Sequence, residues 1–99
     1  MDNKQKSLNL LGLAQRSGNL ISGEALVLSS IRSQEAKVVI LASDASENTV
    51  KQFLNKCEHY RIPALINFDR EDISKAIGKM RTVVAITDGG FAQSLQKLQ

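Results

Sequence analysis

Cysteine, histidine and proline occur once each in the 99 residues, tryptophan is missing, and the rings are three phenylalanines and one tyrosine. A lone Cys57 excludes an internal disulfide and fits a reducing cytoplasm. Cys57 and His59 cannot assemble a zinc set by themselves. They also make a poor nucleophile–base pair, because positions two apart on a helix point in different directions. A core cysteine and a surface histidine are the expectation. Phe53, Tyr60, Phe68 and Phe91 are scattered, which excludes an aromatic stacking strand for bases. The longest apolar runs, Val38–Ala42 and Val83–Ile86, fall far short of a membrane span. No apolar segment of the signal-peptide kind follows the opening Met1-Asp2-Asn3-Lys4-Gln5-Lys6. There is no internal repeat, low-complexity tract or linker. A cytoplasmic chain forming one domain over residues 1–99, with no membrane partner, is expected.

Charge of either sign is also in short excess. Thirteen Lys and Arg against ten Asp and Glu leave +3, with a pI near 9.2, which permits a polyanionic partner without demanding one. What the chain does have is apolar residues, 42% of the total, enough for a globular fold with a single core. Leu8, Leu11 and Ala14, widened by Leu10 and Leu13, predict a helix over Lys4–Ser17 that Gly18 stops. Asn19–Ser22 reads as a short extended piece and Glu24–Ser33 as a second helix. Lys37–Ala42 is β-branched and apolar, a buried strand. Asp44 with Glu47 resembles a capping box opening a third helix that runs to about Tyr60. After Pro63 come a strand over Ala64–Phe68, a helix from Asp69 to Ile77 ended by Gly78, and a buried strand Val83–Ile86. Asp88-Gly89-Gly90 reads as a turn, and Phe91–Leu98 as the last helix. The alternation predicts a three-layer α/β/α sandwich with a single mixed sheet of about four strands.

The run from Gly18 to Ser30 is the most informative stretch: a short strand, a glycine that turns sharply, and a helix at once. The N–H groups at such a helix start suit a phosphate or another anion. Gly18 and Gly23 have the spacing of a nucleotide-binding P-loop, but Glu24 and Ala25 stand where lysine and serine or threonine belong. No dinucleotide fingerprint occurs either. Asp69, Glu71 and Asp72 are explained by capping and the helix dipole. Asp44 and Asp88 each follow a strand, a frequent site location in open α/β sheets, yet each also serves as a cap or turn residue. Lys79-Met80-Arg81-Thr82 reads equally as a solvated loop and as a clamp that joins charge to apolar contact.

Arg32 to Asp44, centred on Ala36-Lys37-Val38-Val39-Ile40-Leu41-Ala42, resembles the signature strand of the L-seven-Ae/L-thirty-e ribosomal protein family. Cys57-Glu58-His59-Tyr60-Arg61-Ile62-Pro63 resembles that family's helix end and the run into the next strand. Ile77-Gly78, Arg81 and Val83–Ile86 resemble its late helix, RNA-contacting loop and last core strand. Leu11-Gly12-Leu13-Ala14-Gln15-Arg16-Ser17-Gly18 with Gly23-Glu24 is similar to its bacterial YlxQ-like branch. The likeness spans nearly the whole chain, and the order and spacing of its motifs are more specific than any one of them.

The resemblance implies an α/β/α sandwich that binds kink-turn RNA, a sharply bent duplex with tandem sheared G·A pairs. A helix N-terminus would enter the widened major groove and a hydrophobic loop would cover an extruded base. Carried over by position, the helix start is Gly23, Glu24, Ala25, Leu26 and Ser29, and the loop is Lys79, Met80, Arg81 and Thr82. Lys37 is a further candidate for a nearby phosphate. The family's helix motif Asn-Glu-x-x-Lys is not kept: Ala25, Leu26 and Ser29 occupy those positions. A non-enzymatic, monomeric RNA-binding protein without metal or cofactor is therefore expected. The alternative is a protein-interaction module of the same fold with weak or lost RNA recognition, and a small-molecule enzyme using Asp44 and Asp88 lacks a base, nucleophile or metal set.

Overall fold

Successive side chains of a strand point to opposite faces, so a strand that is apolar at every position must be covered on both. The two such runs in this chain form the centre of the sheet. A computed structural model describes residues 1–99. Its elements are α1 (Asn3–Arg16), β1 (Leu20–Ser22), α2 (Glu24–Arg32), β2 (Val38–Leu41), α3 (Glu47–Tyr60), β3 (Ala64–Leu65), α4 (Arg70–Ile77), β4 (Val83–Ile86) and α5 (Gly89–Lys97). The sheet has the order β1-β4-β2-β3. β4 runs antiparallel to both β1 and β2, and β3 is parallel to β2. The mixed four-stranded sheet and the three layers agree with the expectation.

Alternation along β2 and β4 divides the core. Val38, Ile40, Val84 and Ile86 face one side, where Leu11 and Ala14 of α1, Ile73 and Ile77 of α4, and Ala92 and Leu95 of α5 pack on them. Val39, Leu41, Val83 and Ala85 face the other, under Val27 and Ile31 of α2 and Phe53 and Cys57 of α3. Leu13, expected on the apolar face of α1, is instead 49% exposed. It sits one residue before Ala14, and at 3.6 residues per turn that rotates it off the buried stripe.

Three boundaries differ from expectation for local reasons. β3 ends at Leu65, because the chain leaves the ladder to carry Phe68 into the α1/α4/α5 core. Only the Ser43 N–H still bonds to it there, donating to the Phe68 carbonyl at 2.9 Å. The N-cap of α3 is Ser46, whose Oγ accepts from the Thr49 N–H. Asp44 is thereby free for a long-range bond, accepting from the Arg70 N–H at 2.8 Å. Asp88 caps α5 by accepting from the Phe91 N–H at 2.9 Å, which folds Gly89 and Gly90 into the first helical turn.

Candidate nucleic-acid interface

A helix leaves its first N–H groups without backbone acceptors, and a side chain at the N-cap ordinarily takes one. Asp2, Ser46, Asp69 and Asp88 do so for α1, α3, α4 and α5. The N-cap of α2 is Gly23, which has no side chain to offer. The corner is nevertheless rigid: the Gly23 N–H donates to the Val83 carbonyl at 3.1 Å, and its own carbonyl accepts from the Val27 N–H at 3.0 Å. The first turn of α2, Glu24 to Leu26, therefore reaches the surface with no side-chain acceptor on its N–H groups.

The loop before β4 faces this corner. Gly78 ends α4 in the left-handed region at φ 81° and the chain reverses there. Ser74 on α4 pins the loop: its Oγ accepts from the Arg81 N–H at 3.1 Å and lies 3.4 Å from the Met80 Sδ. The Arg81 side chain crosses to the corner, its Nε donating to Ser22 Oγ at 3.3 Å and its Nη1 to the Met80 carbonyl at 2.7 Å. Ser22 to Leu26, Met80 to Thr82 and Arg70 line one cleft of about 440 Å³. Thus Gly23, Glu24, Ala25, Leu26, Met80, Arg81 and Thr82 are brought together. Ser29 follows Ala25 and Leu26 by four and three positions, so it continues their exposed face of α2.

Two expected residues stand outside this cleft. Lys79 lines a neighbouring one of about 580 Å³ with Asp44, Arg70, Glu71, Ser74, Lys75, Gly78 and Met80. Lys37 precedes β2, where its N–H bonds the Ile86 carbonyl at 2.8 Å, whereas the cleft adjoins Val83 at the other end of β4. The antiparallel β2–β4 pairing forces that separation. It also places Asp44, after β2, and Asp88, after β4, at opposite ends of the sheet, so these carboxylates do not converge. Gly18 and Gly23 flank β1 rather than one loop, which disposes of the P-loop spacing geometrically.

Arg70 is the residue that sequence reading missed. It lines both clefts, and its side chain reaches the Asp44 carbonyl at 3.5 Å. A signal was present: Arg70 is the first residue of α4, where the helix dipole favours an acidic side chain. The ion pairs are Lys4–Asp72 at 3.1 Å and Lys75–Glu71 at 2.9 Å. Arg70, Lys79 and Arg81 thus carry no carboxylate partner. Leu26 and Met80 flank the cleft while 64% and 68% exposed.

Cys57, His59 and Asp72 lie outside both clefts. Burial pushes the Cys57 thiol up to about 11, among Phe53 and Ile62 in the core. His59 is exposed, its ring edge-on to Tyr60 at 4.8 Å. At Asp72 burial acts upward, but hydrogen bonds from Lys4 and the Asp69 N–H outweigh it and hold the carboxyl below its ordinary value. That residue completes a capping box with Asp69. No three His, Cys, Asp or Glu side chains gather where a metal ion could be held. No helix is long and apolar enough to cross a membrane.

Comparison with known proteins gives a consistent result. The family described as ribosomal protein L7Ae/L30e/S12e/Gadd45 matches residues 5–96. RNA-binding protein YlxQ of Enterococcus faecium is 46% identical over 96 residues, covering 97% of this chain and 93% of its own length. RNA-binding protein YlxQ of Bacillus subtilis (strain 168) is 47% identical over 90 residues, 90% of each chain. The solved structure of a protein with unknown function from Bacillus halodurans C superposes with a TM-score of 0.91 at 40% identity. It covers 94% of this chain and 95% of that one.

Proposed function

The chain belongs to the ribosomal protein L7Ae/L30e/S12e/Gadd45 family, and from that premise we propose that it binds RNA in the cleft between α2 and the loop before β4. The RNA class we assign is a kink-turn or a similarly bent duplex. Ordinary A-form RNA hides its base edges in a deep, narrow major groove, and a bend opens it. The start of α2 enters that opening, and the N–H groups of Glu24, Ala25 and Leu26 donate to phosphate or base-edge acceptors. Arg81 and Arg70 supply charge to the phosphates beside it, with Lys79 at the margin. Leu26, Met80 and Thr82 pack against bases and sugars that the bend exposes.

The observation that carries this reading is the uncapped helix start facing Arg70 and Arg81, two guanidinium groups with no carboxylate partner. Ala25, Leu26 and Ser29 offer no charge, so affinity rests on main-chain donors, the arginines and apolar contact. Calorimetric titration with kink-turn RNA and a straight duplex of equal length tests it. The bent RNA should bind tighter by tenfold or more, and equal, weak binding to both would defeat the proposal. The exposure of Leu26 and Met80 also favours a second reading, a protein partner on the same surface. A stable complex that survives nuclease treatment, with no affinity for bent RNA, would select it.

A further inference from the structure

We propose that the cleft on the α4 side of Met80 is a second nucleotide subsite, taking the RNA residue next to the one held against α2. The proposal rests on the RNA-binding reading above and extends it past the Lys79–Thr82 loop to Asp44 and Arg70, which the family resemblance does not include. Its first support is continuity. The two clefts share Arg70 and Met80 as a common wall, and the second, at about 580 Å³, lies within the range of small-ligand sites, about 300–1,000 Å³.

The second support is the wall itself. Met80 is an apolar side chain left 68% exposed. Its base is fixed, because Ser74 bonds the Arg81 N–H at 3.1 Å and lies 3.4 Å from the Met80 sulfur. Apolar side chains that enter between successive bases unstack them, at a cost of about a few kcal/mol per step, which other contacts must offset. A methionine with a cleft on one side would cover a single base. With a cleft on each side it separates two.

The third support is the chemistry of the second cleft. Glu71 and Lys75 satisfy each other at 2.9 Å, so the charges left to a ligand are Arg70, Lys79 and Asp44. Lys79 and Arg70 suit a phosphate. Asp44 Oδ1 is held by the Arg70 N–H at 2.8 Å, and Oδ2 remains as an acceptor for the amino group of a base. Cations at the rim, a fixed acceptor and an apolar wall match one nucleotide of a strand already bound next door.

The test uses the full chain and kink-turn RNAs carrying 2-aminopurine at one bend position at a time, a base that brightens on unstacking. With the wild-type protein, two adjacent positions should brighten. Lys79→Glu should keep one bright, dim its neighbour and weaken binding about tenfold, while Met80→Ala should dim both. Tight binding with a single bright position overturns the second subsite and leaves the RNA-binding reading standing. So does a Lys79→Glu variant that matches wild type in affinity and in both signals. No binding by the wild-type protein overturns both.

Discussion

Replacing Gly23 by alanine should damage this protein more than its open surroundings suggest. Gly23 has φ 95° and ψ 148°, a region essentially closed to residues with a Cβ, where occupancy costs about 1–3 kcal/mol. Space is not the obstacle: an added Cβ would meet only Arg81 Nε, at 3.7 Å. Two other glycines calibrate the effect. Gly18 is left-handed at φ 77° with nothing within 4 Å of a Cβ, so alanine there should cost about 1–2 kcal/mol. Gly89 lies in the first turn of α5, also with an unobstructed Cβ position. Alanine at Gly89 should be neutral or stabilise by about 0.4–1 kcal/mol through the unfolded state. In a domain of this size 1 kcal/mol moves Tm by about 4–8 °C, so Gly23→Ala should melt roughly 5–20 °C below wild type. Thermal melts by circular dichroism on the three variants measure this directly. At a temperature where all are folded, Gly23→Ala should also bind bent RNA more weakly, while Gly18→Ala, at the far end of β1, should not. A Gly23→Ala protein that melts within two or so degrees of wild type would refute the account of the corner, and with it the aim of the α2 N–H groups.

Arg81→Ala should weaken RNA binding and lower the slope of log affinity against log salt by roughly one phosphate's worth, read from titrations over a salt series; an unchanged slope would remove Arg81 from the backbone contacts. Ala25→Asn combined with Ser29→Lys should tighten kink-turn binding, each recovered base contact being worth about 1–3 kcal/mol by analogy with duplex readout. No gain in a gel-shift titration would mean that these positions do not face the bases. The Cys57 thiol stands at about 11 in the fold against an ordinary 9.0, so above that ordinary value the unfolded chain loses a proton the native one keeps. Its stabilising effect is complete below pH 9 and is lost as the pH rises towards 11. Urea midpoints should therefore fall more steeply across that window for wild type than for Cys57→Ala.

Local signals carried most of the fold. The strands β2 and β4 were legible because both faces of each are buried, and Gly78 and Asp69 marked the ends of α4 through their own conformational and hydrogen-bonding preferences. Bonds between residues distant in sequence were not legible. Asp44 matched a capping pattern by spacing, yet its carboxylate reaches Arg70, and Ser46 caps α3 in its place. Lys37 and Lys79 were both candidates for the same surface. Only the strand directions reveal that one lies at the far end of the sheet and the other in a neighbouring cleft. Arg70 stood out as a cation at the head of α4, but nothing near it in sequence indicates that it lines the cleft at the start of α2.

The strand order has a consequence for when this protein can act during its own synthesis. β1 pairs only with β4, Leu20 opposite Ile86, and β4 also separates β1 from β2. Until Val83–Ile86 leaves the ribosome, Gly23 has no Val83 carbonyl to hold it and Arg81 has no paired β4 to set it across the corner. A nascent chain halted near residue 75 would hold α1, α2 and β2, but β1 would have no strand to pair with. The RNA surface we propose would thus come into being late, and a growing chain could not engage RNA through this cleft before its last strand arrives.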